Sequence, residues 1–214
     1  MKIKVSDKIG SVSAEIIKPD KPKAALIIAH GAGAGMNHPF MTSFCEELAV
    51  CGVATLRFNF PFTENKKGRP DVPPVAQATI EAAIRKGLKE FTKIPLFAGG
   101  KSFGGRMSSQ LMALKNVEGV SGLVFVGFPL HQPGNPSIER AEHLKDVKVP
   151  MLFLQGMRDT LADFKMIQQV TKKLKLATLV SFENADHSFK APKQNLIPAL
   201  AQETAKWLFS VVEP

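Results

Sequence analysis

Between Leu96 and Arg106 the chain reads Leu-Phe-Ala-Gly-Gly-Lys-Ser-Phe-Gly-Gly-Arg, and few folds accommodate that stretch. A short apolar run, Ile94 to Ala98, follows a turn-prone Lys-Ile-Pro, and Arg106 to Leu114 has the composition of a helix. Between them Gly100-x-Ser102-x-Gly104 matches a sharp strand-to-helix turn with the serine exposed at its apex. Such a turn holds the serine at positive φ, so its neighbours two positions away must be small. Gly99 and Gly105 are expected to widen that clearance. A serine so placed can attack a carbonyl. Gly100-Lys101-Ser102 is also the tail of a phosphate-binding loop, but that motif needs a glycine where Pro95 stands. A glycine-rich turn can equally carry an inert serine, so the motif needs partners elsewhere in the chain.

The remaining pattern is that of an alternating α/β chain. Lys2 to Val5 and Val12 to Ile17 read as edge strands around a turn at Gly10, and Ala24 to Ala29 as a first buried strand. The latter shows no apolar–polar alternation, the mark of a parallel strand covered on both faces. Phe40, Phe44, Leu48 and Cys51 recur at helical spacing up to Gly52, and Val53 to Phe58 is the next strand. Pro61 to Pro74, with four prolines and Gly68, is expected to be a surface loop. Ile80, Ile84, Leu88 and Phe91 predict a helix, Leu123 to Val126 a strand, and Gly127 to Glu139 a loop. The strand Val149 to Gln155 precedes a helix with Phe164, Ile167 and Leu174 inside and Asp163 as its N-cap. Thr178 to Phe182 and a final helix carrying Leu200, Trp207, Leu208 and Val211 complete the series. This order predicts a mostly parallel central sheet with helices on both faces, one domain over residues 1–214.

In open α/β sheets ligands collect at the carboxyl ends of the strands. Four features fall on that rim: the loop His30 to Gly35, Ser102, Asp159 and His187. The loop is not a dinucleotide fingerprint, because its third glycine would stand at Met36 and the acidic residue at Asn59. A serine hydroxyl needs a neutral imidazole to remove its proton, and the imidazole needs a carboxylate to fix its tautomer. Ser102, Asp159 and His187 are the candidate nucleophile, orienting acid and base. Asp186 is a rival acid, though a residue adjacent to the histidine normally projects elsewhere. An oxyanion hole would use the backbone N–H of Phe103, at a helix N-terminus, with a second N–H from Ala32 or Gly33. His30 is expected to brace its loop. Arg57, Arg106 and Arg158 lie near strand ends or the turn and, with His30, are the candidates for touching substrate.

Composition removes several alternatives. The 28 basic residues against 19 acidic give +9 over 214 residues, but the lysines are scattered and no basic helix is interleaved with aromatics. A solvated basic surface accounts for them better than nucleic-acid binding. The start, Met1-Lys-Ile-Lys-Val-Ser-Asp-Lys, has no signal-peptide h-region, and no apolar run approaches a membrane span. Cys45 and Cys51 lie on one predicted helix about 120° apart, so reduced thiols and a cytoplasmic location are expected. His30, His38, His131 and His143 lack ligand-pair spacing, so neither a metal nor another cofactor is expected.

With these residues placed, the chain resembles the small α/β-hydrolase family related to dienelactone hydrolases, most closely a branch of predicted hydrolases with testis-expressed and chromatin-complex members. The resemblance rests on His30-Gly-Ala-Gly-Ala, Leu56-Arg-Phe-Asn-Phe-Pro61, Gly99-Gly-Lys-Ser-Phe-Gly-Gly-Arg106 and Gly127-Phe-Pro-Leu-His-Gln-Pro-Gly134. Glu142-His-Leu144, Val149-Pro150, Gln155-Gly-Met-Arg-Asp159 and Asp186-His-Ser-Phe189 extend it to about residue 190. Where the family pattern has proline and an aromatic after the Arg-Asp pair, this chain has Thr160-Leu161. The resemblance implies the α/β-hydrolase fold and supports Ser102, Asp159 and His187 as a triad. Two functions follow as expectations: a serine hydrolase acting on a small carboxylic ester or thioester, or a non-catalytic interaction module that keeps the fold. The irregular stretches Phe60 to Pro74 and Gly127 to Glu139 are too short for a cap and are expected to rim an open site. The oligomeric state is left open.

Overall fold

Six parallel strands form the centre of a computed structural model that describes residues 1–212. They are β3 (Ala24–Ala29), β4 (Val53–Phe58), β5 (Leu96–Lys101), β6 (Val120–Val126), β7 (Met151–Gly156) and β8 (Ala177–Phe182). A hairpin of β1 (Lys2–Ser6) and β2 (Gly10–Ile17) adds antiparallel to β4, giving the order β1-β2-β4-β3-β5-β6-β7-β8. Every residue of β3, β4 and β7 is buried, which is why these segments show no alternation in sequence. At the far edge β8 is covered less, and its side chains are mostly half-exposed.

Helices α1 (Pro39–Val50) and α6 (Ile197–Val212) cover one face, where Phe44, Leu48, Leu200 and Leu208 pack on Leu26, Ile28 and Leu152. Trp207 of α6 meets Phe97 edge-on at 5.9 Å, and its Nε1–H donates to Thr178 Oγ1 at 3.2 Å. The opposite face holds α3 (Pro73–Glu90), α4 (Phe103–Lys115) and α5 (Phe164–Lys173). There Ile80, Ile84, Met107, Leu111 and Ile167 pack on Ile27, Ala98 and Phe125. Asp163 caps α5 as expected, its Oδ1 accepting the Met166 N–H at 3.0 Å.

Three segments depart from the expectation. Pro61 to Pro74 is not wholly a loop: Pro61 starts the one-turn helix α2 (Pro61–Glu64), and Pro73 starts α3. Proline lacks only an N–H that a first helical turn leaves unpaired, so it initiates helices as readily as it marks loops. Glu139–Asp146 forms a 3-10 helix, and Lys190–Ala191 with Gln194–Asn195 forms a small hairpin, β9 and β10.

The turn between β5 and α4 is pressed against β3. A methyl group on Gly100 would stand 2.4 Å from the Ala29 carbonyl oxygen, and one on Gly104 would stand 2.5 Å from the same atom. On Gly99 it would meet the Val124 backbone oxygen at 1.9 Å. These glycines therefore allow backbones to touch, a stronger constraint than clearance around a serine. Gly104→Ala should lower unfolding free energy by about 1–3 kcal/mol or more in urea titrations. Gly68→Ala, with nothing within 4 Å of the added methyl, should change it by less than about 0.5 kcal/mol. Equal effects from the two substitutions would contradict this packing.

Candidate active site

Ser102 has φ 50° and ψ −112°, a conformation costly for any residue with a side chain. It persists because both flanks are pinned. The Ser102 N–H donates to the Val126 carbonyl at 3.1 Å, and its own carbonyl accepts the Arg106 N–H at 3.1 Å, opening α4. The hydroxyl is thereby presented at the carboxyl end of β5, as the glycine pattern predicts.

His187 reaches the same point from the segment after β8. Its Nε2 lies 2.8 Å from Ser102 Oγ, and its Nδ1 lies 2.7 Å from Asp159 Oδ2. A carboxylate only accepts, so Nδ1 carries the proton and Nε2 is left to accept the serine hydroxyl. The Asp159 side chain is fully shielded from solvent, whereas the His187 side chain keeps 21% of its surface exposed. Thr160-Leu161 does not disturb this loop, because the Leu161 N–H donates to Asp159 Oδ1 at 2.8 Å. Asp186 points into its own turn, where Oδ1 accepts the N–H groups of Ser188 and Lys190 at 2.8 and 2.9 Å.

One supporting residue is absent from the sequence reading of the site. Gln155, completely buried on β7, donates Nε2–H to Asp159 Oδ2 at 2.6 Å and accepts the Phe128 N–H at 3.0 Å. It fixes the carboxylate from behind. The available signal is its position as the one polar side chain in the otherwise apolar run Met151–Gly156.

Phe103 is the first residue of α4, so its amide lies at the helix N-terminus beside Ser102. Across from it, Gly31, Ala32 and Gly33 line the same cleft, and Gly31 comes so close that its Cβ position is 3.7 Å from Ser102 Cβ. His30 holds this loop in place. Its Nδ1–H donates to the Gly31 carbonyl at 2.8 Å, and its Nε2 accepts the Phe60 N–H at 3.0 Å. The ring has no exposed surface, and burial pushes its pKa down from 6.5 to about 4. His30 is thus the expected brace and does not face the cleft.

The three arginines do not reach the cleft either. Arg57 lies buried on β4 and pairs with Glu15 at 2.9 Å. Because side chains alternate along a strand, a place near a strand end does not ensure a place on the rim. Arg106 turns toward the 3-10 helix, beside His143 and Arg140, and Arg158 projects into solvent.

The cleft has a volume of about 990 Å³. Its walls are the loop and first turn of α1 around Phe40 and the segment 187–197 with Leu196 and Ile197, while Lys101, Ser102 and Leu161 complete it. The stretches Phe60 to Pro74 and Gly127 to Glu139, expected as its rim, contribute nothing to the lining. Their apolar side chains, Phe60 and Phe62 of the first and Phe128 and Leu130 of the second, pack instead into the core on the α3 and α4 face. Among the described residues there is no group of three or more His, Cys, Asp or Glu side chains placed to hold a metal ion, and no helix is long and apolar enough to cross a membrane. Cys45 is buried and Cys51 half-buried, both as free thiols.

Residues 22–206 match the model of a family described as an alpha/beta hydrolase domain. Among solved structures, a dienelactone hydrolase from Anabaena variabilis superposes with a TM-score of 0.78 at 19% identity, covering 98% of this chain and 95% of that one. Est1E from Butyrivibrio proteoclasticus, with ferulic acid bound, gives 0.81 at 15% identity with both chains fully covered. A serine hydrolase described as lacking a lid, from Xanthomonas campestris, gives 0.73 at 19% identity over 100% of this chain and 92% of that one. At these identities the likeness is one of fold.

Two desolvated imidazoles, those of His30 and His143, make stability pH-dependent. The folded-state pKa of His30 lies below its ordinary value, so the unfolded chain takes up the proton first as pH falls. His143 behaves alike: burial and the neighbouring Arg106 lower it to about 4. Their contribution is complete above about pH 6.5 and is lost on the way down to about 4. Unfolding free energy should therefore fall between pH 6.5 and 4.5, with His30 alone contributing a slope of up to about 1.4 kcal/mol per pH unit. Urea titrations of the wild type and His30→Gln check this, and the variant should show the shallower slope. A wild-type curve that is flat over this range would refute it.

Proposed function

The chain belongs to the alpha/beta hydrolase family, and we propose that it is a serine hydrolase, acting as one domain on esters or thioesters of small carboxylic acids. The observation that carries this reading is the unbroken hydrogen-bonded chain from Ser102 Oγ through His187 to the buried Asp159. A non-catalytic interaction module needs neither that chain nor a strained serine.

In this reading the carbonyl carbon of the substrate lies against Ser102 Oγ. As Oγ attacks, its proton passes to His187 Nε2, and Asp159 stabilises the imidazolium without taking the proton. Negative charge gathers on the carbonyl oxygen, where the N–H of Phe103 and one from Ala32 or Gly33 can stabilise it. Collapse of this intermediate expels the alcohol or thiol, which leaves with the proton from Nε2, and an acyl-serine remains. Water, deprotonated by the same nitrogen, then attacks the acyl-serine. A second collapse releases the carboxylic acid and returns the proton to Ser102 Oγ.

The cleft of about 990 Å³ has space for a small acyl group together with the alcohol or thiol portion. Without a cap, a long acyl chain leaves the walls of the site early, and each CH₂ adds about 0.8 kcal/mol only where it is buried. We expect kcat/KM for p-nitrophenyl esters to peak at acetate or butyrate. A maximum at about ten carbons or more, measured below the micelle threshold, would reveal a tunnel for the chain.

The function itself is tested with a fluorophosphonate probe. It should label wild-type protein at Ser102 alone and fail on Ser102→Ala; labelling at another serine, or none on folded protein, overturns the proposal. Asp159→Asn should lower kcat on the order of 10⁴-fold through the wrong histidine tautomer. Asp186→Asn should be mild by comparison, and the reverse ranking would assign the acid to Asp186.

A further inference from the structure

We propose that Lys101 is a positioning residue for the base, its ammonium clamping the His187 backbone so that the imidazole stays aimed at Ser102. The inference rests on the reading of Ser102 and His187 as nucleophile and base.

Lys101 occupies the position just before the serine, at the end of β5. Its Nζ donates to the His187 carbonyl oxygen at 2.5 Å, tying the nucleophile strand to the segment that carries the base. Two aromatic faces enclose the ammonium: Phe40 of α1, with its ring centroid 5.6 Å away, and Phe189, at 5.4 Å. A cation held over aromatic faces is attracted by their quadrupoles, more strongly when desolvated. Phe189 adopts φ 59°, an uncommon conformation for a bulky side chain. It is also buried, and it stacks on Phe40 at 6.2 Å. Gly127, with φ 70°, closes the cage, since a methyl group there would stand 3.4 Å from Nζ and 3.5 Å from the His187 oxygen. The strained Phe189, the glycine and the α1 aromatic thus converge on one amine that the proposed chemistry does not use.

The charges around the clamp are few. Asp159 and Asp186 face it and favour the ammonium, and His187 is the group it holds. His38 and Lys190 line the same cleft, while α1 and the turn after β6 meet it with Phe40 and Gly127. Burial outweighs the two carboxylates and lowers the lysine from 10.5 to about 8. The clamp is therefore charged at neutral pH and loses its charge in mildly alkaline solution, with loss of the attraction to both rings.

The test compares wild type, Lys101→Met and Lys101→Arg by two readouts. The first is kcat and KM for p-nitrophenyl acetate across the neutral to alkaline range. The second is hydrogen exchange of the backbone amides of residues 186–190, which needs no turnover. Wild-type kcat should decline in alkali with a midpoint near the lysine value of about 8. Lys101→Met should lower kcat about 100-fold with little change in KM, and should speed exchange in 186–190. Lys101→Arg should recover activity and lack the alkaline decline, because a guanidinium does not titrate there. Unchanged exchange and kcat in Lys101→Met, or a decline that persists in Lys101→Arg, overturns the clamp. Should the Met variant not fold, the Arg profile decides alone. An inactive wild type that fluorophosphonate does not label would instead refute the hydrolase reading, and exchange would still report on the clamp.

Discussion

The contact of two glycines with one carbonyl oxygen organises this molecule. Because Gly100 and Gly104 both lie against Ala29, the end of β5, the start of α4 and the end of β3 meet at van der Waals distance. A side chain at either position would separate them, and with them everything that converges there: Ser102 on the turn, the Phe103 amide on α4, and the loop after β3. The unfavourable dihedrals of Ser102 are the consequence of that contact, sustained by buried parallel strands on either side.

Around this rigid centre the polar groups form layers of decreasing shelter. Gln155 has no contact with water and holds Asp159, which holds His187, which alone retains exposed surface. Low dielectric strengthens each hydrogen bond in such a series and makes each partner costly to remove. His30 does the same for the opposite wall, with both ring nitrogens committed to backbone groups. Two histidines of one rim therefore have different tasks. The buried one fixes a loop, and the partly exposed one bridges Asp159 and Ser102.

Much of this was legible in the residues because it depends on patterns that survive in one dimension. Unalternating runs such as Ala24 to Ala29 reported strands covered on both faces, and the rule placing ligands at strand ends brought Ser102, Asp159 and His187 to one rim. The rule failed for Arg57, which sits near a strand end but points into the α1 side of the sheet beside Cys45. It brought the loop after β3 to the cleft correctly but did not reach the outer walls, which come from residues 38–43 and 188–197. Proline misled at Pro61 and Pro73 because one residue suits both loops and first helical turns. The partners of Gln155 and Lys101 are not legible in the sequence, because they lie 4 and 86 residues away in the chain, each reached in a direction that sequence does not encode.

The central claim is that the strained serine becomes acylated and is then regenerated. Rapid mixing with p-nitrophenyl acetate, acid quench and peptide mapping test it directly. The account predicts an initial release of roughly one equivalent of nitrophenolate per chain, with the acetyl group on Ser102 and absent in His187→Ala. No acetylated intermediate, or an acetyl group found on the neighbouring Lys101 instead, would contradict it.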